Sequence, residues 1–459
     1  MVSADHFGRE MAGPAIRCWE MCRVLTAAGH EVRLGAGSLS DHDPAAFPVF
    51  LNSPEKLAEH AAWAGVVVIQ GLVLLHFPVL RTASKKLVVD LYDPFNLEIL
   101  EIFKTAPMAE QISHHSGHMT ALTDQLRIGD FFICASEKQR DYWLGALTTA
   151  GRINPYTHGR DHLLRKLIDV VPFGIASEPA RHSGTPAAKG VLPGIGPDAR
   201  LVIWGGGIYN WFDPLSLLRA WPRVLEAEPK ARLLFLGIKH PNPDVPAMEM
   251  AARAIALSEE LGLRGRSVHF NLDWVPYARR KDFLLESEIG VSMHFDHLET
   301  AFSFRTRILD YIWAGLPVVS TEGDEFARWI ETKGTGRVVR YEDPGSIAAA
   351  ISELLTNPAA YDACAKAVRE ARPEFTWDRS LAPLVRYCGD PQPAPDLGPG
   401  RLSLVDRSDS TAWLNSAAAP RAMLPRMAFF LRTEGLGSLL ARMPRAVARR
   451  LNRARPGRR

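Results

Sequence analysis

The chain has 459 residues, of which 47% are apolar and 23% charged. That is a globular composition, it excludes a disordered or collagen-like chain, and its length predicts two or three domains. The net charge of +3 hides a division: residues 421–459 hold eleven arginines and one glutamate, a net of +10, so residues 1–420 carry −7. A mildly acidic body with a basic end points to an anionic surface as partner.

No apolar run reaches the roughly 20 residues that span a bilayer. The longest, GVVVIQGLVLL at 65–75, is broken by Gln70 and Gly71 and reads as a buried strand and a turn. The first thirty residues include Asp5, Arg9, Glu10, Arg17 and Glu20 without an apolar core, so no signal peptide is expected. Of the cysteines Cys18, Cys22, Cys134, Cys364 and Cys388, the first two lie four apart on an apolar helix. They lack partners at zinc spacing, which favours core packing in a reduced compartment.

Strand and helix patterns alternate along the chain. Residues 13–36 read as a loop, a helix stopped by Gly29, and a strand. GVVVIQ and KLVVDLY are continuous apolar strands, followed by a helical stretch near 95–128. DFFICAS is a strand, EKQRDYWLGAL a helix, and IDVVPFGI closes this half. Strands apolar throughout, with helices between, predict parallel sheets covered on both faces. Residues 176–199 are rich in Gly, Pro and Ala, as a linker would be. The alternation then restarts with RLVIWGGG, a helix capped by Asp213 with Pro214 at its first position, and ARLLFLG. Pro222 is expected to kink that helix. Helices at 246–262 and 278–287, strands SVHF, EIGVSMHF and PVVST, and a helix at 378–388 follow. DPQPAPDLGPG at 390–400 reads as a flexible spacer. Only Met1, Val2 and Ser3 precede the first glycine loop, where a doubly wound domain normally has a strand. The expectation is a truncated first strand, with a true start upstream.

Two glycine loops follow predicted strands, where open α/β sheets bind ligands. The first, GREMAGPAIR, carries Gly13, Pro14 and Arg17; the second carries Gly205, Gly206 and Gly207, which let a phosphate or sugar approach the backbone. Neither is a dinucleotide fingerprint or a P-loop, and each alone is also an ordinary tight turn. SFRTRILDYIWAGLPVVST at 303–321 is more specific. Ser303 reads as an N-cap that aims the N–H groups of Phe304 to Thr306 outward. Arg305 and Arg307 add guanidinium forks suited to phosphate oxygens, and Lys239 brings a further charge to the same rim. A diphosphate is the expected occupant, with Asp310 accepting from ribose hydroxyls. A plain Arg307–Asp310 surface pair is the competing reading.

This layout resembles the GT-B glycosyltransferases, in particular the retaining family 4, over residues 1–390. The segments that carry the likeness are AGPAIRCWEMCRVLTAAGHEV, ICASEKQRDYWLG, VVPFGI, GIYNWFDPLSLLRAW, LDYIWAGLPVVST and FTWDRSLAPLVRYC. The resemblance implies an α/β fold of two doubly wound, Rossmann-like domains (GT-B) with a C-terminal crossover helix, to which the sequence adds a basic amphipathic tail. It places an acceptor domain at 1–175, a linker at 176–199, a donor domain at 200–374 and the crossover helix at 375–390. A spacer at 391–420 and the tail at 421–459 complete the chain.

It further implies a nucleotide-diphosphate sugar as donor. Asp310 falls on the family's second glutamate and Phe302 on its first, so Glu299 would have to hold the donor sugar. The family's Arg and Lys after the second glycine loop are absent, leaving Arg305, Arg307 and Lys239 to supply that charge. In the first half Asp90 and Asp93 lie near the reacting sugar, one of them orienting the acceptor hydroxyl. Asp93 before Pro94 is equally a turn cap. An aromatic of WVPY at 274–277 could stack on the base or serve the core. The HHSGH cluster at 114–118 lacks carboxylates at ligand spacing, so no metal is expected there and transfer is expected to need none.

In the tail, Leu436, Leu440, Met443, Val447 and Leu451 share one helical face, with Arg442, Arg445, Arg449 and Arg453 off it and Pro444 a break. That is the pattern of an amphipathic helix on an anionic membrane. A disordered end and nucleic acid are the alternatives, the latter supported by charge alone. The reading is a metal-independent glycosyltransferase at the cytoplasmic membrane face, acting on a polysaccharide or lipid-linked glycan. A GT-B epimerase and a non-catalytic GT-B assembly partner are the competing functions.

Overall fold

A computed structural model describes residues 1–42, 45–238 and 248–398. Lys239 and the arginines of the tail lie outside them. In the first half, strands Val67–Gln70, Leu87–Asp90, Phe131–Cys134 and Ile168–Val170 pair in that order, all parallel. Every residue of the first three is buried, as continuous apolar strands require. Leu34–Ala36 pairs with Val49–Leu51. Val2 bridges Gly35 on one side and Ile69 on the other, so one residue occupies the slot of a central strand. The helix Gly13–Ala27 lays Ala15, Cys18, Met21, Cys22 and Leu25 into this core. It ends where Gly29 adopts φ +89°.

The second sheet has six parallel strands in the order Val268–Asn271, Ala231–Leu236, Arg200–Gly205, Ile289–Ser292, Val318–Thr321 and Gly336–Val339. The order reverses between Arg200–Gly205 and Ile289–Ser292, which opens a crevice at their carboxyl ends. Asp213 caps the helix Pro214–Ala227 through the Ser216 amide, and Pro222 lies inside that helix without dividing it. The stretch near 95–128 is two helices, Phe95–Ile102 and Met108–Ile128. The sequence reading passed over the strand Gly336–Val339 and the helices Glu325–Lys333, Pro344–Thr356 and Pro358–Ala371. Two of these helices open on Asp343-Pro344 and Asn357-Pro358, the same signal as Asp213-Pro214.

Residues 176–199 are pinned to the second half by carboxylates. Glu286 accepts the amides of Ala187, Ala188 and Lys189 at 2.7, 2.8 and 2.8 Å, and Lys189 pairs with Glu288. The returning chain meets the first half edge to edge: the Ile175 amide donates to Phe375 and the Trp377 amide to Ile175. A Cβ on Gly174 would lie 2.7 Å from the Trp377 ring, so this seam needs glycine. The crossover is two short helices, Trp377–Ser380 and Ala382–Gly389, with Tyr387 stacked on Phe131.

The segment after it departs from the expected flexible spacer over its described part. Asp396 forms a buried two-pronged pair with Arg152 (2.7 and 3.1 Å) and accepts from Asn154, while the Ala394 amide donates to Asp130. Proline richness here marks an extended, docked strap, because the hydrogen bonds come from side chains of the first half. Asp396→Ala leaves the Arg152 cation buried and unpaired, which destabilises a fold by about 3–5 kcal/mol. Urea denaturation of the full chain should show that loss, whereas a free spacer would leave the midpoint unchanged.

Candidate functional site

The second glycine loop lies at the crevice. Gly206 takes φ +94°, and the Gly205 amide donates to the Tyr311 hydroxyl, which itself donates to the Val291 carbonyl at 2.8 Å. Tyr311 thereby fixes the helix Thr306–Ala314 to the end of the sheet. That helix begins later than predicted: Ser303 is not its cap. Ser303 ends a separate turn, Leu298–Phe302, and its hydroxyl donates to Thr300. Arg305 occupies the N-cap position without a side-chain capping bond, so the open N–H groups belong to the turn beginning at Thr306. Phe304 packs on Phe326 at the edge of the larger pocket described below.

The charged residues of this segment divide sharply. Arg305 donates both terminal nitrogens to Glu299 at 2.8 and 2.7 Å, with both groups buried, so its fork is committed within the protein. Glu299 is correspondingly occupied by a guanidinium. Arg307 has no carboxylate partner among the described residues. One terminal nitrogen donates to the Gly207 carbonyl at 2.9 Å, the other is buried without a hydrogen bond, and the guanidinium lies over Phe212 and Trp204. Burial lowers its pKa to about 10, which leaves it cationic at neutral pH. Asp310 pairs with Arg280 at 3.0 Å, not with Arg307. Burial raises its carboxyl, with Arg280 opposing. Arg280, stacked 3.7 Å over Tyr277, is a basic site residue that the sequence reading missed.

These groups line two adjoining pockets. One, of about 160 Å³, has Gly205–Gly207, Trp274, Arg280, Arg307 and Asp310 on the second half and Met11 and Gly13 on the first. Trp274 donates its indole N–H to the Met11 carbonyl across the crevice, and Arg280 covers a face of Tyr277. The other, of about 310 Å³, is walled by Asp5, Gly13, Pro14, Asp93 and Glu98 opposite Glu299, Arg305 and Arg307. Gly13, Tyr209, Thr306 and Arg307 belong to both.

Asp93 faces the second pocket and does not cap the helix that follows, whose N-cap Pro94 has no side-chain bond. Burial raises its pKa to about 6; a hydrogen bond from Glu98 opposes this and Glu299 adds to it. Arg17 and Asp90, expected at the site, instead form a buried two-pronged pair at 2.7 and 3.0 Å beneath it, with Arg17 also donating to Val171. The first glycine loop therefore contributes Gly13 and Pro14 to this pocket, and Arg17 holds the sheet behind them. Phe302 packs at a tilt on Tyr142, and its carbonyl accepts from Gln139, whose amide also donates to Tyr92. In the histidine cluster, His114 stacks on Phe103 at 3.8 Å. Among the described residues no group of three or more His, Cys, Asp or Glu side chains could hold a metal ion.

Glu299→Ala strands the Arg305 cation and should destabilise the chain by about 3–5 kcal/mol. Adding Arg305→Met should recover most of that loss. Denaturant midpoints of the two single variants and the double variant check it, and additive losses would mean that the pair is not coupled.

Residues 199–357 match the family model described as glycosyl transferases group 1. No curated protein sequence matches the chain. Among solved structures, WaaG, a glycosyltransferase involved in lipopolysaccharide biosynthesis, is 17% identical with a TM-score of 0.58 over 84% of this chain and 98% of its own. Sucrose-phosphate synthase from Thermosynechococcus elongatus is 15% identical with a TM-score of 0.58 over 84% and 97%. HepE of Anabaena, solved with UDP-glucose, is 13% identical with a TM-score of 0.56 over 84% and 99%. At these identities the likeness shows the fold. Residues 199–357 are thus similar to glycosyl transferases group 1, within a chain that has the GT-B fold.

Proposed function

We propose that the protein transfers a sugar from a nucleotide-diphosphate donor, with retention at the anomeric carbon and without a metal ion, to a polysaccharide or lipid-linked glycan precursor. The observation that carries this reading is Arg307, a buried cation with an unbonded N–H at the junction of the two pockets. A buried charge needs a counter-charge, and its two aromatic contacts supply only part of one. A diphosphate beside Gly205–Gly207 and the start of helix Thr306–Ala314 meets that need. Asp310, half-buried in the same pocket, then accepts from the ribose hydroxyls, with Arg280 orienting it. The HepE complex supports UDP as the carrier.

In transfer, the bond from C1 to the diphosphate oxygen breaks and its electron pair leaves with that oxygen. Arg307 and the helix N–H groups stabilise the developing charge. The acceptor oxygen bonds to C1 on the same face, and its proton passes to the departing diphosphate. Arg442, Arg445, Arg449 and Arg453 would hold the enzyme to an anionic membrane at the cytoplasmic face, bringing it to a lipid-linked acceptor.

UDP, GDP and ADP should be titrated by calorimetry into the full chain and into Arg307→Ala, in the presence of a chelator. One nucleotide should bind, and the variant should lose at least tenfold, as expected for a charge-assisted bond of about 1.5–3 kcal/mol. Absence of binding by all three refutes the reading. Magnesium added after the chelator should leave the affinity unchanged; a requirement for it refutes metal independence.

A further inference from the structure

The acceptor-side wall of the larger pocket contains a carboxyl that the reading above leaves without a role. Glu98, on the helix Phe95–Ile102, is hydrogen-bonded to Asp93, and both line the cavity. The opposite wall carries two unbonded guanidinium N–H groups, Arg305 Nε and Arg307 Nη1, on side chains that are at least nine-tenths buried. Unmet donors on one wall and a hydrogen-bonded carboxyl pair on the other frame a place for a polar ligand between them.

Two carboxyls in contact cannot both be ionised in such surroundings, so one of them keeps a proton. Glu98 is that one. Burial, Asp93 and Glu299 all push its pKa well up, with Arg305 opposing, while the bond from Glu98 favours the ionised form of Asp93. Asp5 and Asp90 are the other charged groups facing Asp93, and both disfavour a second negative charge.

We propose that Glu98 is a positioning residue: its carboxyl O–H holds Asp93 so that an Asp93 oxygen accepts the hydrogen bond of the bound acceptor hydroxyl, a bond given up as that proton passes to the departing diphosphate. The proposal rests on the transferase reading and adds a requirement to it, that one proton be retained on the acceptor wall. Asp93 must be ionised to accept, so activity should fall below about pH 6. Glu98 must keep its proton to donate, so activity should fall again as pH rises through its raised pKa.

The test compares the full chain with Glu98→Gln and Glu98→Ala. The rate read is nucleotide diphosphate release from UDP-glucose, GDP-mannose and ADP-glucose with water as acceptor, from pH 5 to 9, below the range in which Arg307 loses its charge. The infrared band of a protonated carboxyl at pH 7 is read in parallel. Glu98→Ala should lower kcat at least tenfold with little change in the donor KM. Glu98→Gln, whose amide still donates to Asp93, should stay within about threefold of the wild type and lose the alkaline decline. Both variants should lose the infrared band. An alanine variant as fast as the wild type, a glutamine variant as slow as the alanine variant, or a band that survives in either overturns the proposal. If the wild type releases nothing from any donor, the band decides: its loss in both variants supports the shared proton, and its persistence overturns it. Failure of all nucleotide binding would instead strike the transferase reading itself.

Discussion

A guanidinium keeps its charge at neutral pH, so wherever this fold buries one it must supply an anion, a set of carbonyls or an opening for a ligand. The buried arginines mark the organisation of the molecule. Arg17 meets Asp90 under the first glycine loop, fixing the helix Gly13–Ala27 to the end of a strand. Arg152 meets Asp396 and ties the returning strap to the first half. Arg140 is satisfied by the carbonyls of Ile168 and Leu163. Arg305 meets Glu299 and shapes the wall of the larger pocket. Arg307 is the exception, stacked on two aromatic rings with a single carbonyl partner and no carboxylate partner among the described residues. The pairs build a rigid frame, and the exception within that frame is where the proposed diphosphate would sit.

Much of the fold was legible in the sequence because parallel strands are apolar along their whole length. GVVVIQ, KLVVDLY, DFFICAS and ARLLFLG each appear as central strands near the positions read from pattern alone. The glycine loop and Arg307 were also visible, through the switch-point logic of open sheets. What failed was partner choice. Arg305 and Arg307 are two residues apart and chemically identical, and only the fold shows that Glu299 closes over the first and Gly207 receives the second. Arg17 was misassigned for the same reason: its partner Asp90 lies 73 residues away. Ser303 resembled a cap because LETAF, a turn of helix in its own right, ends there. Arg280 and Glu98 were missed because each gains its importance from a carboxylate that the chain brings alongside, Asp310 for one and Asp93 for the other.

The two halves of the crevice are chemically unlike. The second half offers glycine backbone, a helix start and a cation, groups that suit a diphosphate. The first offers carboxyls, Asp93 with Glu98 beside it and Asp5 nearby, which suit hydroxyl donors, and an ionised Asp93 repels phosphate. A ligand with an anionic end and a neutral sugar end is oriented by that asymmetry before any specific contact forms, which favours its entry with the phosphates toward Arg307.

The seam at Ile175 determines how this crevice can open. The chain passes between the halves twice, and at Ile175, Phe375 and Trp377 the two passes are hydrogen-bonded to each other. Two connections fused side by side leave rotation as the easy relative movement and resist sliding, so they define a hinge axis. Contacts far from that axis act as latches: the Tyr277 amide on the Arg9 carbonyl at 2.9 Å, and the Gln139 amide on the Phe302 carbonyl at 2.8 Å. Each is a single hydrogen bond with a modest net energy, about 0.5–1.5 kcal/mol. A rotation of one half against the other would break these bonds and that from Trp274 to Met11, while the buried pairs Arg17–Asp90 and Arg305–Glu299 each lie within one half.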